Sequence, residues 1–226
     1  MTVVDEAARA FARWAAALRG KRLLHPAGAT FTATFTVTAR TSLGVPFLDE
    51  PGEYRAVARL SKATSTSSRW PDVLGLAWRV VDAGGPGVPL DLALSSAGHA
   101  VVTRHLLVPR RDFAAATYTS LLPYRLGREN RYLAAFPDRT RGVLPDTDSV
   151  RTAVAAHPFE LSIRVARRTG PWWPVATLRL DQPSDDDLSI NPVSNVVPGL
   201  APAGWLNRLR GPVYRGSQAG RASSSA

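Results

Sequence analysis

The chain has no cysteine, only two lysines and four histidines. Each scarcity excludes something. Without cysteine there is no thiol nucleophile, no iron–sulfur cluster, no Cys-rich zinc site and no disulfide staple. The opening MTVVDEAARAFARW carries acidic residues and no long apolar run, so it reads as neither a secretory signal nor a membrane anchor, and a cytoplasmic location is expected. Common catalytic signatures are missing as well: there is no G-x-S-x-G elbow, Walker loop, G-x-G-x-x-G or H-E-x-x-H.

What is present is 226 residues, 45% of them apolar, which suffices for one generous domain or two small ones with a real core. The formal net charge is +10, and all of the 28 basic side chains except Lys21 and Lys62 are arginines. Codon usage in a G+C-rich genome favours arginine and alanine over lysine and explains the excess without any function. The functional readings are anion chemistry, because the guanidinium fork suits phosphate and carboxylate, or nucleic-acid binding. The arginines are scattered, with short concentrations at Arg110–Arg111, Arg164–Arg168 and Arg208–Arg221, and lack the interleaved aromatics of a nucleic-acid face.

Apolar Val4, Ala8, Phe11, Trp14, Ala15 and Leu18 recur at helical spacing, so an N-terminal helix is expected. The run ATFTATFTVTA then alternates Phe31, Ala33, Phe35 and Val37 with Thr32, Thr34, Thr36 and Thr38, a strand with one buried and one hydroxyl-lined face. Further strands are read in YRAVARLS, LGLAWRVVD, VPLDLALSS, HAVVTR, PFELSIRVARR and WPVATLRLDQ, separated by turn signals such as DAGGPG and RRTGP. Residues 110–156 read as a helical insertion, with AAATYTSLL and SVRTAVAA as helical pieces. The fold class expected is α+β, mainly β: an antiparallel barrel with an N-terminal helix, a helical insertion and a C-terminal helix. Residues 1–216 are read as one domain and 217–226 as a disordered tail.

Among candidate chemical groups, Asp185–Asp187 read as a solvated turn rather than a metal site, and His99 and His105 have poor ligand spacing. His157 precedes a proline and a strand and reads as structural. His25 lies in KRLLHPAG just before the Phe/Thr strand, which puts its ring at the barrel mouth beside apolar Leu23 and Leu24. A neutral imidazole in an apolar setting is a competent general base.

The run WPVATLRLDQPSDDDLSINPVSNVVPGLAPAGWLNRLRGPVY resembles the end of the haem catalase barrel. There a P-V-G-x-L-x-L-N strand is followed by an F-x-P-x-N-x-V-P-G-I loop and an R-x-x-x-Y helix. Matching pieces here are Pro174 to Leu180, Ile190-Asn191-Pro192 with Asn195 and Val197-Pro198-Gly199, and Arg210 with Tyr214. Upstream, KRLLHPAGATFTATFTVT is similar to the family's R-x-x-H-A-x-G segment, and VARLSKATST to its V-R-F-S-T stretch. PDVLGLAWRV stands where the family has D-P-R-G-F-A-V-K-F, and VPLDLALSSAGHAVVTR where it has W-D-L-V-G-N-N-T-P-V-F-F-I-R.

The resemblance implies haem b held by a Tyr214 phenolate, with Arg210 and Arg221 favouring the anion. It implies His25 as the distal acid–base group, Ser61 orienting it, and Arg22 and Arg59 at the haem propionates. Where catalases place an asparagine opposite the distal histidine, no asparagine occurs between Asp91 and Arg104; Ser95 or Ser96 stands nearest, and Ser96 is taken as the candidate. The expected activity is therefore that of a haem peroxidase or weak catalase, using hydrogen peroxide or organic hydroperoxides and a reducing substrate the sequence does not name. Nucleic acid and membrane are not expected as partners, and the oligomeric state is left open. Rival readings are a haem or small-molecule carrier with little turnover, and a non-haem barrel binding phosphate or nucleic acid.

Overall fold

A computed structural model describes residues 28–63, 70–138, 144–186 and 188–203. Strand β1 (Gly28–Val37) pairs with β2 (Gly52–Lys62), β2 with β3 (Leu74–Val80), β3 with β4 (Leu90–Ala97), and β4 with the short β5 (Thr117–Thr119), all antiparallel. β6 (Tyr124–Leu126) leads into β7 (Glu129–Pro137), which pairs with β5 and with β8 (Phe159–Ala166). β9 (Trp173–Ser184) joins β8 to β1 and closes an eight-stranded antiparallel barrel. β6 and β10 (Leu200–Pro202) form a flap on the edge of β7. Among the described residues the helices are α1 (Pro46–Asp49) and α2 (Thr147–Ala156), with one 3-10 turn at Thr103–His105.

The period of two explains the barrel walls. In β1, Ala29, Phe31, Ala33, Phe35 and Val37 face inward and are buried, while Thr32 is exposed. Ala56, Ala58 and Leu60 of β2, and Leu74, Leu76, Trp78 and Val80 of β3, continue the inner face. Phe31, Phe35, Trp78, Tyr118, Phe159, Leu161 and Leu178 pack from opposite walls and fill the interior, none more than 1% exposed. Each such side chain contributes about 1.5–3 kcal/mol by leaving water. The barrel is therefore a solid core, and a ligand has to sit on its outer wall or at its ends. His25, which the sequence reading places at the barrel mouth, lies outside the described residues.

Residues 110–156 are not a helical insertion. AAATYTSLL contains β5, whose Tyr118 turns into the core and donates its hydroxyl to the Phe113 carbonyl at 3.0 Å. ENRYLAAFP is the barrel strand β7, with most of its residues buried on both faces, so no alternation marks it in the sequence. SVRTAVAA does lie in α2, which a capping box starts: Asp146 accepts from the Ser149 N–H at 2.8 Å, and the Asp146 N–H donates to Ser149 Oγ at 3.2 Å. Val150 and Val154, four apart, anchor α2 against β9 and β1. HAVVTR is also not a strand; Thr103–His105 forms the 3-10 turn and Arg104 is buried in it.

The N-terminal and C-terminal helices expected from the sequence lie outside the described residues. Among the described residues, no helix is long and apolar enough to cross a membrane.

Candidate functional site

Pairing registers assemble an unusual patch on the outer wall. One row across four strands is Gly28, Ser61, Gly75 and Ser95, and Thr119 of β5 extends it. The next outward-facing row is Thr30, Arg59, Ala77 and Ala93. At about 4.8 Å per strand, the four-strand platform is about 14 Å wide. Seven of its eight positions carry a hydrogen, methyl or small hydroxyl-bearing side chain, and two of them, Thr30 and Ser61, are buried.

Arg59 is the exception, and its position is specific. Its guanidinium lies over Gly28, where an added Cβ would stand 2.6 Å from Nε and Nη2. Its Nη1 reaches Thr30 Oγ1 at 3.4 Å. The missing side chain of Gly28 thus leaves the cation a seat on the wall.

Beyond the second row the wall ends in an ion-pair knot. Arg79 grips Asp91 through two 2.7 Å bonds and donates to the Ser189 carbonyl at 2.7 Å. Asp91 is fully buried and also accepts from the Asn191 N–H at 2.7 Å and Asn195 Nδ2 at 2.8 Å. The hydrogen bonds to Asp91 raise the pKa of Arg79 above its ordinary value, against the opposing effect of burial. Three segments noted separately in the sequence, LGLAWRV, LDLALSS and INPVSN, therefore meet at one buried carboxylate.

Ser61 and Arg59 lie together on the platform, as β2 alternation requires. Ser96 does not join them. It faces inward, donates to the Val108 carbonyl at 2.8 Å and accepts from the Leu74 N–H at 3.0 Å, a structural latch between the loop after β4 and the start of β3. Ser95, one residue earlier, shares the Ser61 face. The phase of β4 separates the two serines, and the structure sets that phase by placing Asp91 on the outer wall. Arg22, His25, Arg210, Tyr214 and Arg221 lie outside the described residues.

Asp185 pairs with Arg151 at 3.0 Å, and Asp186 accepts from Ser184 Oγ at 2.7 Å. Among the described residues, no group of three or more His, Asp or Glu side chains is arranged to hold a metal.

A second polar cluster surrounds the 3-10 turn. His105 Nδ1 lies 3.3 Å from the Leu121 carbonyl, an acceptor only, so this nitrogen carries the proton. The ring meets Tyr132 edge-on at 4.7 Å. Burial lowers the His105 pKa; the Leu121 bond opposes the shift, while Arg104 and Arg168 add to it. Arg104 donates to the carbonyls of Arg167 and Gly170, both at 3.0 Å, and stacks 4.6 Å above Trp172.

No family model matches the chain, and no curated protein matches it. The fold is similar to that of a bacterial catalase, with a TM-score of 0.65 at 10% sequence identity. The match covers 86% of this chain and 56% of that one, so the chain spans little more than half the length of that catalase. The likeness establishes a catalase-like, mainly β barrel fold.

Proposed function

We propose that the chain is a haem-dependent peroxidase that reduces organic hydroperoxides and, more slowly, hydrogen peroxide. The observation that carries this reading is the platform itself: Gly28, which follows His25 by three residues in the chain, lies in one row with Ser61, Gly75 and Ser95, and Arg59 is seated beside them. A planar, dianionic macrocycle fits such a surface, since short side chains admit its face and a guanidinium suits a propionate. Haem b bound there would supply the iron centre at which a peroxide takes up two electrons.

The chain's own residues then have separable tasks. Tyr214 would hold the iron as phenolate, and Arg210 and Arg221 would favour that anion over the neutral phenol. Arg22 and Arg59 would hold the propionates. His25, neutral, accepts the proton from one peroxide oxygen and returns it to the other. Ser61, on the platform, is the residue that would orient His25. Ser95, on the same face, takes the place that the sequence reading gave to Ser96. A short hydroxyl offers one donor where an amide offers two, so hydrogen peroxide is held less well than by a catalase. The net reaction is ROOH + AH2 → ROH + H2O + A, where AH2 is a two-electron reducing substrate.

The visible spectrum of the haem-supplied full chain tests this. The expected result is a Soret band that changes in Tyr214→Phe, with dye oxidation by cumene hydroperoxide outpacing oxygen release from hydrogen peroxide. Absence of the band, or a band unchanged in Tyr214→Phe, overturns the ligation. A haem-loaded chain inert toward both oxidants is a carrier.

A further inference from the structure

A pocket of about 710 Å³ opens where the β8–β9 hairpin faces the chain leaving β1. Its volume lies in the range of small-molecule sites. Leu43, Val165, Val175, Pro171, Pro174 and Trp173 supply apolar lining. Trp173 is 62% exposed, a large apolar surface left in water at the rim.

Arg131 and Arg167 supply the charge. Both engage one carboxylate: Arg131 Nη2 lies 2.7 Å from Glu129 Oε2, and Arg167 Nη2 lies 3.2 Å from Glu129 Oε1. Arg167 and Arg131 together hold the Glu129 carboxyl below its usual range, so it stays ionised at neutral pH. Two guanidinium groups against one carboxylate leave one net positive charge. Arg131 is mostly buried and fixed, whereas the Arg167 side chain is 66% exposed and has donors to spare. The Arg167 backbone is itself pinned by Arg104. The pocket thus has a firm cationic end and an apolar wall.

We infer that this pocket binds an amphipathic monocarboxylate, its head on Arg167 and Arg131 and its acyl or aromatic body along Trp173, Val175 and Leu43. The exposed Arg167 fork suits a carboxylate, and the apolar lining selects against a small inorganic anion such as phosphate. The inference is independent of haem.

Calorimetric titration of the full chain with decanoate, decanol and inorganic phosphate tests it. Expected are saturable one-to-one binding of decanoate, about tenfold weaker binding of decanol, and no displacement of decanoate by phosphate. Arg167→Gln should weaken decanoate about tenfold while leaving decanol unchanged. Trp173→Gln should weaken both ligands, separating the wall from the head group. Near-UV circular dichroism of each variant confirms that the fold is kept. Absence of saturable decanoate binding, equal affinity for decanol, displacement by phosphate, or an Arg167→Gln variant that binds decanoate as the parent does would each overturn the assignment.

Discussion

Asp91 and Asn195, 104 positions apart, hold each other from both sides: Asn195 Nδ2 donates to the Asp91 carboxylate at 2.8 Å, and the Asp91 N–H donates to the Asn195 carbonyl at 3.0 Å. Arg79 and the Asn191 N–H complete the shell around the same carboxylate. Asp91→Ala would leave these donors without their acceptor and should cost about 3–5 kcal/mol. Asn195→Ala removes one side-chain bond and should cost about 1–2 kcal/mol. Urea unfolding of the two variants checks the ranking, which the reverse order would sink.

Arg104 is buried, and its bonds run to backbone carbonyls, so its value lies in fork geometry. Arg104→Lys keeps a charge but cannot reach the Arg167 and Gly170 carbonyls together. A loss of about 2–3 kcal/mol is expected, with Arg104→Met at least as damaging. A thermal melt indistinguishable from the parent for Arg104→Lys would contradict the clamp.

The lowered His105 pKa makes stability sensitive to mild acid. With the folded value below the unfolded one, near 6.5, the unfolded chain takes up the proton first as pH falls. The contribution of neutral His105 is complete above about pH 6.5 and is lost progressively below it. His105→Gln should reduce the fall in melting temperature between about pH 7.5 and about pH 5.5. Parallel slopes for parent and variant would show that other groups set the dependence.

Gly75 lies at the centre of the small-residue platform, between Ser61 and Ser95. Gly75→Leu places a branched side chain in the middle of the platform proposed for haem, and should weaken haem uptake about tenfold or more by the measure of one buried clash. Thr32→Leu, at an exposed position on the same barrel wall, serves as the control and should leave uptake unchanged. Spectroscopic haem titration separates the two, and equal affinities would move the site elsewhere.

Gly199 has φ of +79° and sits so close to Gly44 that an added Cβ would collide with the Gly44 carbonyl oxygen. Its own carbonyl accepts from the Gly127 N–H at 2.8 Å, tying the flap strand β10 to the β6–β7 turn. Gly199→Ala combines left-handed strain with that collision and should destabilise by at least about 2 kcal/mol. Native-state hydrogen exchange should show the loss first in Leu200 and Gly127.

The barrel was legible wherever one face of a strand meets water. Phe31 to Val37 against Thr32 to Thr36 reveals β1, and the same alternation reveals β2, β3 and β8. It failed where both faces are covered: Tyr132 packs outward against His105 while Leu133 packs inward, so β7 has no period to read. It also failed where tertiary contacts overrode propensity. Val101 and Val102 favour a strand, yet they are exposed because the chain turns there to bury Arg104. The platform was half legible. Arg59 and Ser61 came from a motif resemblance, but separating Ser95 from Ser96 needed the phase of β4, which Asp91 carries only once its fixed place on the outer wall is known.

Closure of the barrel through β9 also has a cost in time. Thr32 and its neighbour Gln182 are 150 positions apart, so at typical synthesis rates β1 waits roughly ten to thirty seconds on the ribosome for its second flank. During that interval Phe31 and Phe35 belong to an open, aggregation-prone edge. Fragments that end before Trp173 should accordingly be insoluble, and the nascent chain is a natural client for whatever shields exposed strands until the last wall arrives.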